Sequence, residues 1–215
     1  MPRKLCEQCE RPINVCLCAH LVRLQAPFKV LILQHPSEQK QALATVPILQ
    51  KCLSPMQVWV GEVFANSDEL QKLINIKHNC RVLYPSDGSI PLDLKAMRTE
   101  LKTEIDVKPT IFRQAPIDTL IVLDGTWRKA KKIWHLNKWL HDFPAITLEN
   151  VPTSQYQIRS SSIKGGVSTL EAITLFCNYV SQSNEFDELY NPFKVMIDMQ
   201  IKSMGEETFK AHYLK

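Results

Sequence analysis

The sequence predicts an α/β fold: a mostly parallel sheet with helices on both faces, plus a small cysteine-rich head at the N-terminus. Three observations lead there. Apolar runs of strand length alternate with segments of helical spacing through most of the chain, and that order argues for a parallel sheet covered on both sides. Four of the 7 cysteines crowd between Cys6 and Cys18, ahead of the first strand. The 215 residues, 45% of them apolar, suffice for one sizeable core with a small appendage. The expected division is a head over 1–26 and a body over 27–215.

Taken in order, Lys29 to Gln34 (KVLILQ) is an apolar run of buried-strand length that ends at His35-Pro36, where proline breaks the ladder. A helix is expected over Gln39–Cys52. Met56 to Val63 alternates as a strand does. Ser67 and Asp68 can cap a helix to Ile76 whose Leu70, Leu73 and Ile74 share a face. Cys80 to Tyr84 reads as a strand closed by Pro85, and Leu92 to Ile105 as a helix with Leu94, Met97 and Leu101 at helical spacing. Thr119 to Leu123 is the clearest buried strand, followed by a helix over Thr126–Trp134 and a short strand over Ala145–Leu148. Residues 149–166 are polar and read as a loop. Ser168 with Glu171 three residues on has capping-box form and opens a helix through Tyr179. A last helix is expected from Glu185 to Met204, interrupted near Pro192.

Composition narrows the function classes. No run of about 18 apolar residues exists, so no transmembrane helix is expected, and Met1–Leu5 lacks the apolar core of a secretory signal. The odd cysteine count fits a reducing, cytoplasmic setting, with Cys52, Cys80 and Cys177 as buried apolar thiols. The 6 glycines spell neither G-x-G-x-x-G nor a Walker loop, which argues against a Rossmann dinucleotide site and a P-loop. The net charge of +4 is compatible with a nucleic-acid partner without demonstrating one.

The head reads Cys6-x2-Cys9-x6-Cys16-x-Cys18. Four thiolates within thirteen residues suit a closed tetrahedral zinc site, structural because no position is left for water. The competing readings are incidental thiol pairs or a redox C-x-x-C. So short and apolar-poor a segment would draw its folding energy from the metal.

Leu120 to Trp134 reads LIVLDGTWRKAKKIW. Asp124 ends an apolar strand, where ligands of open α/β sheets sit; the bland alternative is that Asp124 or Thr126 caps the next helix. Trp127, Ala130 and Trp134 follow helical spacing and should pack inward or line a pocket. Arg128, Lys129, Lys131 and Lys132 form a cationic cluster with no acid at i+4. Such a cluster is either a solvated face or a phosphate contact.

Asp124-Gly125-Thr126-Trp127 matches the D-x-T-W motif of the DTW-domain proteins, and the resemblance runs over nearly the whole chain. The four-cysteine head resembles theirs, as do His35-Pro36-Ser37-Glu38, Tyr84-Pro85-Ser86, Arg159 and Ser168-Thr169-Leu170-Glu171-Ala172. Within that family the sequence looks most like the bacterial tRNA-uridine aminocarboxypropyltransferases. The resemblance implies a SPOUT-like sheet with a knotted cofactor site. It also implies transfer of the 3-amino-3-carboxypropyl group from S-adenosylmethionine to N3 of a uridine in tRNA, releasing methylthioadenosine. Such chemistry is mainly a positioning task. Asp124 is the catalytic candidate, either as base for the N3 proton or as anchor for the amino group of the donor. Thr126, Trp127, Ser168 and Glu171 are candidates for cofactor binding, and Arg128, Lys129, Lys131, Lys132 and Arg159 for RNA. The rival readings are an RNA methyltransferase using the same donor and a non-catalytic zinc-bearing RNA-binding protein.

Overall fold

The computed structural model describes residues 4–65, 67–95, 116–156, 158 and 166–213. Its sheet has six strands, all parallel: β1 Leu24–Gln34, β2 Leu53–Val60, β3 Cys80–Leu83, β4 Ile90–Asp93, β5 Thr119–Asp124 and β6 Ala145–Glu149. Their spatial order is β2-β1-β5-β3-β6-β4. The described helices are α1 Val46–Cys52, α2 Asp68–Asn75, α3 Trp127–Leu136, α4 Thr169–Ser181, α5 Tyr190–Met204 and α6 Glu206–Tyr213.

The period of two along the strands creates two cores. Val30, Ile32, Leu120 and Val122 face one side, where they pack with α1, α4 and α5 through Leu49, Ile173, Phe176 and Phe193. Leu31, Leu33, Ile121 and Leu123 face the other and meet Leu70 and Leu73 of α2 and Ile133 and Trp134 of α3. Each fully buried side chain of this size is worth about 1.5–3 kcal/mol. Strands with both faces covered read as unbroken apolar runs, which is why β5 is buried at every position.

Four expectations need correction. The helix expected over Gln39–Cys52 is only its last part, α1, because Pro47 lies at the start of that helix; a proline ring is tolerated in the first turn and clashes deeper in. Leu92, expected to begin a helix, belongs to β4, which buries Leu92 and exposes Pro91 and Asp93. That strand is at the sheet edge, where proline is permitted; residues 96–105 lie outside the described residues. The helix expected from Glu185 to Met204 is a 3-10 turn over Glu185–Leu189 followed by α5, so the change of helix falls just before Pro192, which itself sits in the first turn of α5. α5 ends at Met204 as expected, ahead of Gly205 with φ 86°, and α6 follows. The first strand also begins earlier than expected, Leu24 pairing with Leu53 of β2.

The head docks on this body rather than forming a core of its own. Leu17 inserts into the α1/α4/α5 core. Arg11 donates from Nη1 to the Ala42 carbonyl at 3.4 Å and lies 3.7 Å from Met196 Sδ.

Candidate active site

Asp124 is the last residue of β5 and stands in register with Gln34, the last residue of β1. Gln34 Nε2 donates to its Oδ2 at 2.9 Å, and Thr169 Oγ1, in the first turn of α4, donates to its Oδ1 at 2.5 Å. The carboxylate is 7% exposed. It ties together two strands and a helix N-terminus, which is not the capping role considered for it.

Beside it opens a cleft of about 400 Å³, beyond the carboxyl ends of β3, β5 and β6. One wall is Leu83, Tyr84 and Pro85; another is Gly125, Thr126, Trp127 and Ala130 at the start of α3; a third is Ser168, Thr169 and Ala172 at the start of α4. Ile146, Leu148, Val151 and Tyr156 are among the other residues that line it. A mostly apolar pocket of this size with a few polar groups at its edge suits a small-molecule ligand, and the carboxyl end of a parallel sheet is where such ligands sit.

Gly125 makes the turn from β5 into α3 possible: a Cβ there would lie 2.9 Å from Lys129 Cβ, closer than side chains approach. Thr126 is the N-cap of α3, but its side chain makes no capping bond, so it stands exposed in the cleft. Trp127 is half-buried there, while Trp134 is buried and stacks on Tyr84 with ring centroids 4.9 Å apart.

Ser168 caps α4, and both bonds of the capping box are present. Ser168 lines the cleft, whereas among the described residues Glu171 and Asp124 do not. Glu171 is buried behind the wall, its carboxylate filled by backbone and hydroxyl donors.

The cationic helix divides. Lys129 donates to Glu38 at 2.7 Å and Lys132 to Glu62 at 2.6 Å. Glu62 also accepts from His35 Nε2 at 2.7 Å; because a carboxylate only accepts, Nε2 carries a proton. The Lys132 and His35 contacts hold the Glu62 carboxyl below its ordinary value. No acid stands at i+4 along the helix, as read from the sequence; the acids that pair Lys129 and Lys132 come from just beyond the ends of β1 and β2. Arg128 and Lys131 are exposed. Arg159 lies outside the described residues.

At the head, the Sγ atoms of Cys6, Cys9, Cys16 and Cys18 all lie within 4.8 Å of one another. Cys6 and Cys18 are 3.5 Å apart and Cys9 and Cys16 3.6 Å, far beyond a disulfide. Metal–sulfur bonds of about 2.3 Å would set tetrahedral edges of about 3.8 Å, so the four can hold a metal ion. The electrostatics agree. Backbone amides of Cys9 and Gln8 bring the Cys6 thiol down to about 6, while burial and the neighbouring thiols push Cys18 up to about 12. Four thiolates cannot coexist so closely without a cation.

Gln34, Thr169, Glu62 and Tyr156 were not among the expected site residues, whereas Glu38 lies inside the His35–Glu38 motif. Thr169 carried a signal, since it lies inside the Ser168–Ala172 motif. The others meet the site only through register and loop packing.

Fold and site together define an α/β protein with a cleft beyond a parallel sheet and a head whose four thiols can hold a metal ion. Residues 3–201 match the DTW domain, and the chain belongs to that family. It is 35% identical over 176 residues to tRNA-uridine aminocarboxypropyltransferase 2 of Drosophila melanogaster, covering 79% of this chain but 63% of the fly protein. To the mouse protein of that name it is 30% identical over 222 residues, covering 99% of this chain and 68% of the relative. To tRNA-uridine aminocarboxypropyltransferase A of Arabidopsis thaliana it is 25% identical, covering 93% and 82%. These relatives are animal and plant proteins, where the sequence alone pointed to bacterial members. No solved structure matches the chain.

Proposed function

We propose that this protein transfers the 3-amino-3-carboxypropyl group of S-adenosylmethionine to N3 of a uridine in tRNA. N3 loses its proton and bonds to the methylene next to the sulfonium; the carbon–sulfur bond breaks and methylthioadenosine leaves as a neutral thioether. The names of the relatives support the reaction. The observation that carries it to this chain is a buried carboxylate, Asp124, fixed by Gln34 and by Thr169, which lines the apolar cleft beside it.

In this reading Asp124 takes the N3 proton or holds the donor's amino group. Thr126 and Ser168 offer hydroxyls to the donor, and the half-buried Trp127 ring faces the sulfonium or stacks on the base. Arg128 and Lys131 are the cations left to meet tRNA phosphates, together with Arg159, while Lys129 and Lys132 are already held by Glu38 and Glu62. The head, 1–26, carries structural zinc on Cys6, Cys9, Cys16 and Cys18 and stabilises the fold without entering the reaction; 27–215 form the catalytic body. We read the all-parallel sheet as SPOUT-like, with the cofactor site at a knot, which a crystallographic trace from Glu149 to Thr169 would test. No helix among the described residues is long and apolar enough to cross a membrane. The unpaired cysteines suit a cytoplasmic setting.

The test incubates the purified protein with S-adenosylmethionine and unmodified tRNA and analyses the products by mass spectrometry. Methylthioadenosine and a uridine heavier by the aminocarboxypropyl group are expected. S-adenosylhomocysteine would make it a methyltransferase, and no turnover with no donor binding would remove the enzymatic reading. Asp124→Asn keeps the shape and most hydrogen bonding, and should lower kcat about 100-fold or more if the carboxylate acts as base. Near-normal transfer by the folded variant excludes both roles.

A further inference from the structure

Residues 154–156 bring Tyr156 into the cleft, and α4 brings Ser168, Thr169 and Ala172. Between these two walls lies Glu171, 2% exposed. Its Oε2 accepts from the Ser168 amide at 2.7 Å, and its Oε1 from the Gln155 amide at 2.7 Å. The Ser154 hydroxyl is shared between the two oxygens at 3.0 and 2.9 Å. The same hydroxyl accepts from the Tyr156 amide at 3.1 Å. Among the described residues no lysine or arginine forms an ion pair with Glu171.

A buried carboxylate is costly unless its lone pairs are filled. Here backbone amides, one hydroxyl and the positive end of α4 fill them. The bonds fix the first turn of α4, and that turn carries Thr169, which holds Asp124. They fix residues 154–156 as well, and the Tyr156 hydroxyl anchors the far side of that wall on the Leu43 carbonyl at 2.6 Å.

We infer that Glu171 is a positioning residue rather than a ligand of the donor: it staples the 154–156 wall to the first turn of α4, and so sets the shape of the cleft between them. The assignment rests on the cofactor reading above. In Glu171→Gln the side chain keeps its size, but an amide NH2 must face at least one N–H or O–H donor. The wall then loosens for every ligand that fills it.

The experiment is calorimetric binding of two probes, S-adenosylmethionine and methylthioadenosine, to the metal-loaded protein and to Glu171→Gln. Methylthioadenosine lacks the amino acid portion altogether. A positioning role predicts that both dissociation constants rise by the same factor, about tenfold, as one charged hydrogen bond lost in the wall would give. In tRNA modification assays the donor KM should rise more than kcat falls. If only S-adenosylmethionine weakens, Glu171 touches the amino acid portion and the inference is wrong. If neither weakens, the wall needs no staple and the inference is equally wrong. Ser154→Ala removes one donor and leaves the carboxylate in place; a smaller, parallel loss for both probes is expected, and it carries the test if Glu171→Gln does not fold. Should the unaltered protein bind neither probe, the cofactor reading itself falls, and this assignment with it.

Discussion

Head and body reach an ordered structure by different physics. In the body, two faces of one sheet each bury a continuous apolar layer, and Ile32, Leu33, Leu120, Ile121 and Phe176 are shielded completely or nearly so. In the head, residues 4–23 bury only Cys9 and Leu17, while Leu5 and Ile13 remain 55% and 51% exposed. A segment that buries so little cannot offset the entropy of ordering its backbone. What it has instead is four sulfurs converging on one point. The contrast teaches that the two parts should fail independently: remove metal and the head disorders over an intact sheet; hollow the core and the sheet weakens while the thiols still gather.

The largest expected effect breaks the head. Removing metal with a strong chelator, or Cys9→Ser, should abolish ordered structure over 4–23, because structural zinc supplies on the order of 10 kcal/mol or more to such segments. Hydrogen exchange reads both halves at once. Head amides should lose protection while β1 and β5 amides change little. Protection in the head that survives with no metal measurable by elemental analysis would mean that Leu17 and Arg11 hold it alone.

The converse experiment targets Phe176, fully buried and packed on Phe28 with ring centroids 5.4 Å apart. Phe176→Ala should cost about 3–5 kcal/mol in denaturant unfolding and leave the metal content of the folded protein unchanged. A parallel loss of metal would show that α4 and the head are one cooperative unit.

The same division governs what could be read from the sequence. β5 was legible because a strand buried on both faces must be apolar throughout, and α4 because Ser168 and Glu171 announce a capping box. The convergence of the four head thiols was legible because local spacing alone brings Cys6, Cys9, Cys16 and Cys18 together. Long-range placement was not. That Gln34 meets Asp124 follows from which strands neighbour each other, and nothing local to β1 or β5 encodes the order β2-β1-β5-β3-β6-β4. The cationic run of α3 misled for a related reason. A search for acids at i+4 sees only the helix's own surface, whereas Glu38 and Glu62 arrive from loops about 91 and 70 residues away in the chain. Pro47 was passed over, and Pro192 was read as a break although a proline marks a helix start as readily.

That acidic rim allows the subtlest test, because it joins α3 to the ends of β1 and β2 by charge rather than by core or metal. The Lys132 and His35 hydrogen bonds lower the Glu62 carboxyl below its ordinary 4.5. A depressed folded-state value means that the stabilisation is fully present above the unfolded value and is lost as pH falls through the folded one. Above pH 4.5 the contribution of the Glu62 carboxylate's own ionisation should therefore be constant, and only below that should its hold on Lys132 and His35 be lost. Glu62 is solvent-facing, so the change is small and screened by salt. Comparing acid unfolding of the unaltered protein with Glu62→Gln isolates it: the variant should lose a shallow part of the slope below pH 4.5 and match the parent in shape above it. Superimposable acid limbs would mean that the Glu62 ion pairs contribute nothing measurable, leaving α3 held by its buried face of Ala130, Ile133 and Trp134 and by the Lys129–Glu38 pair.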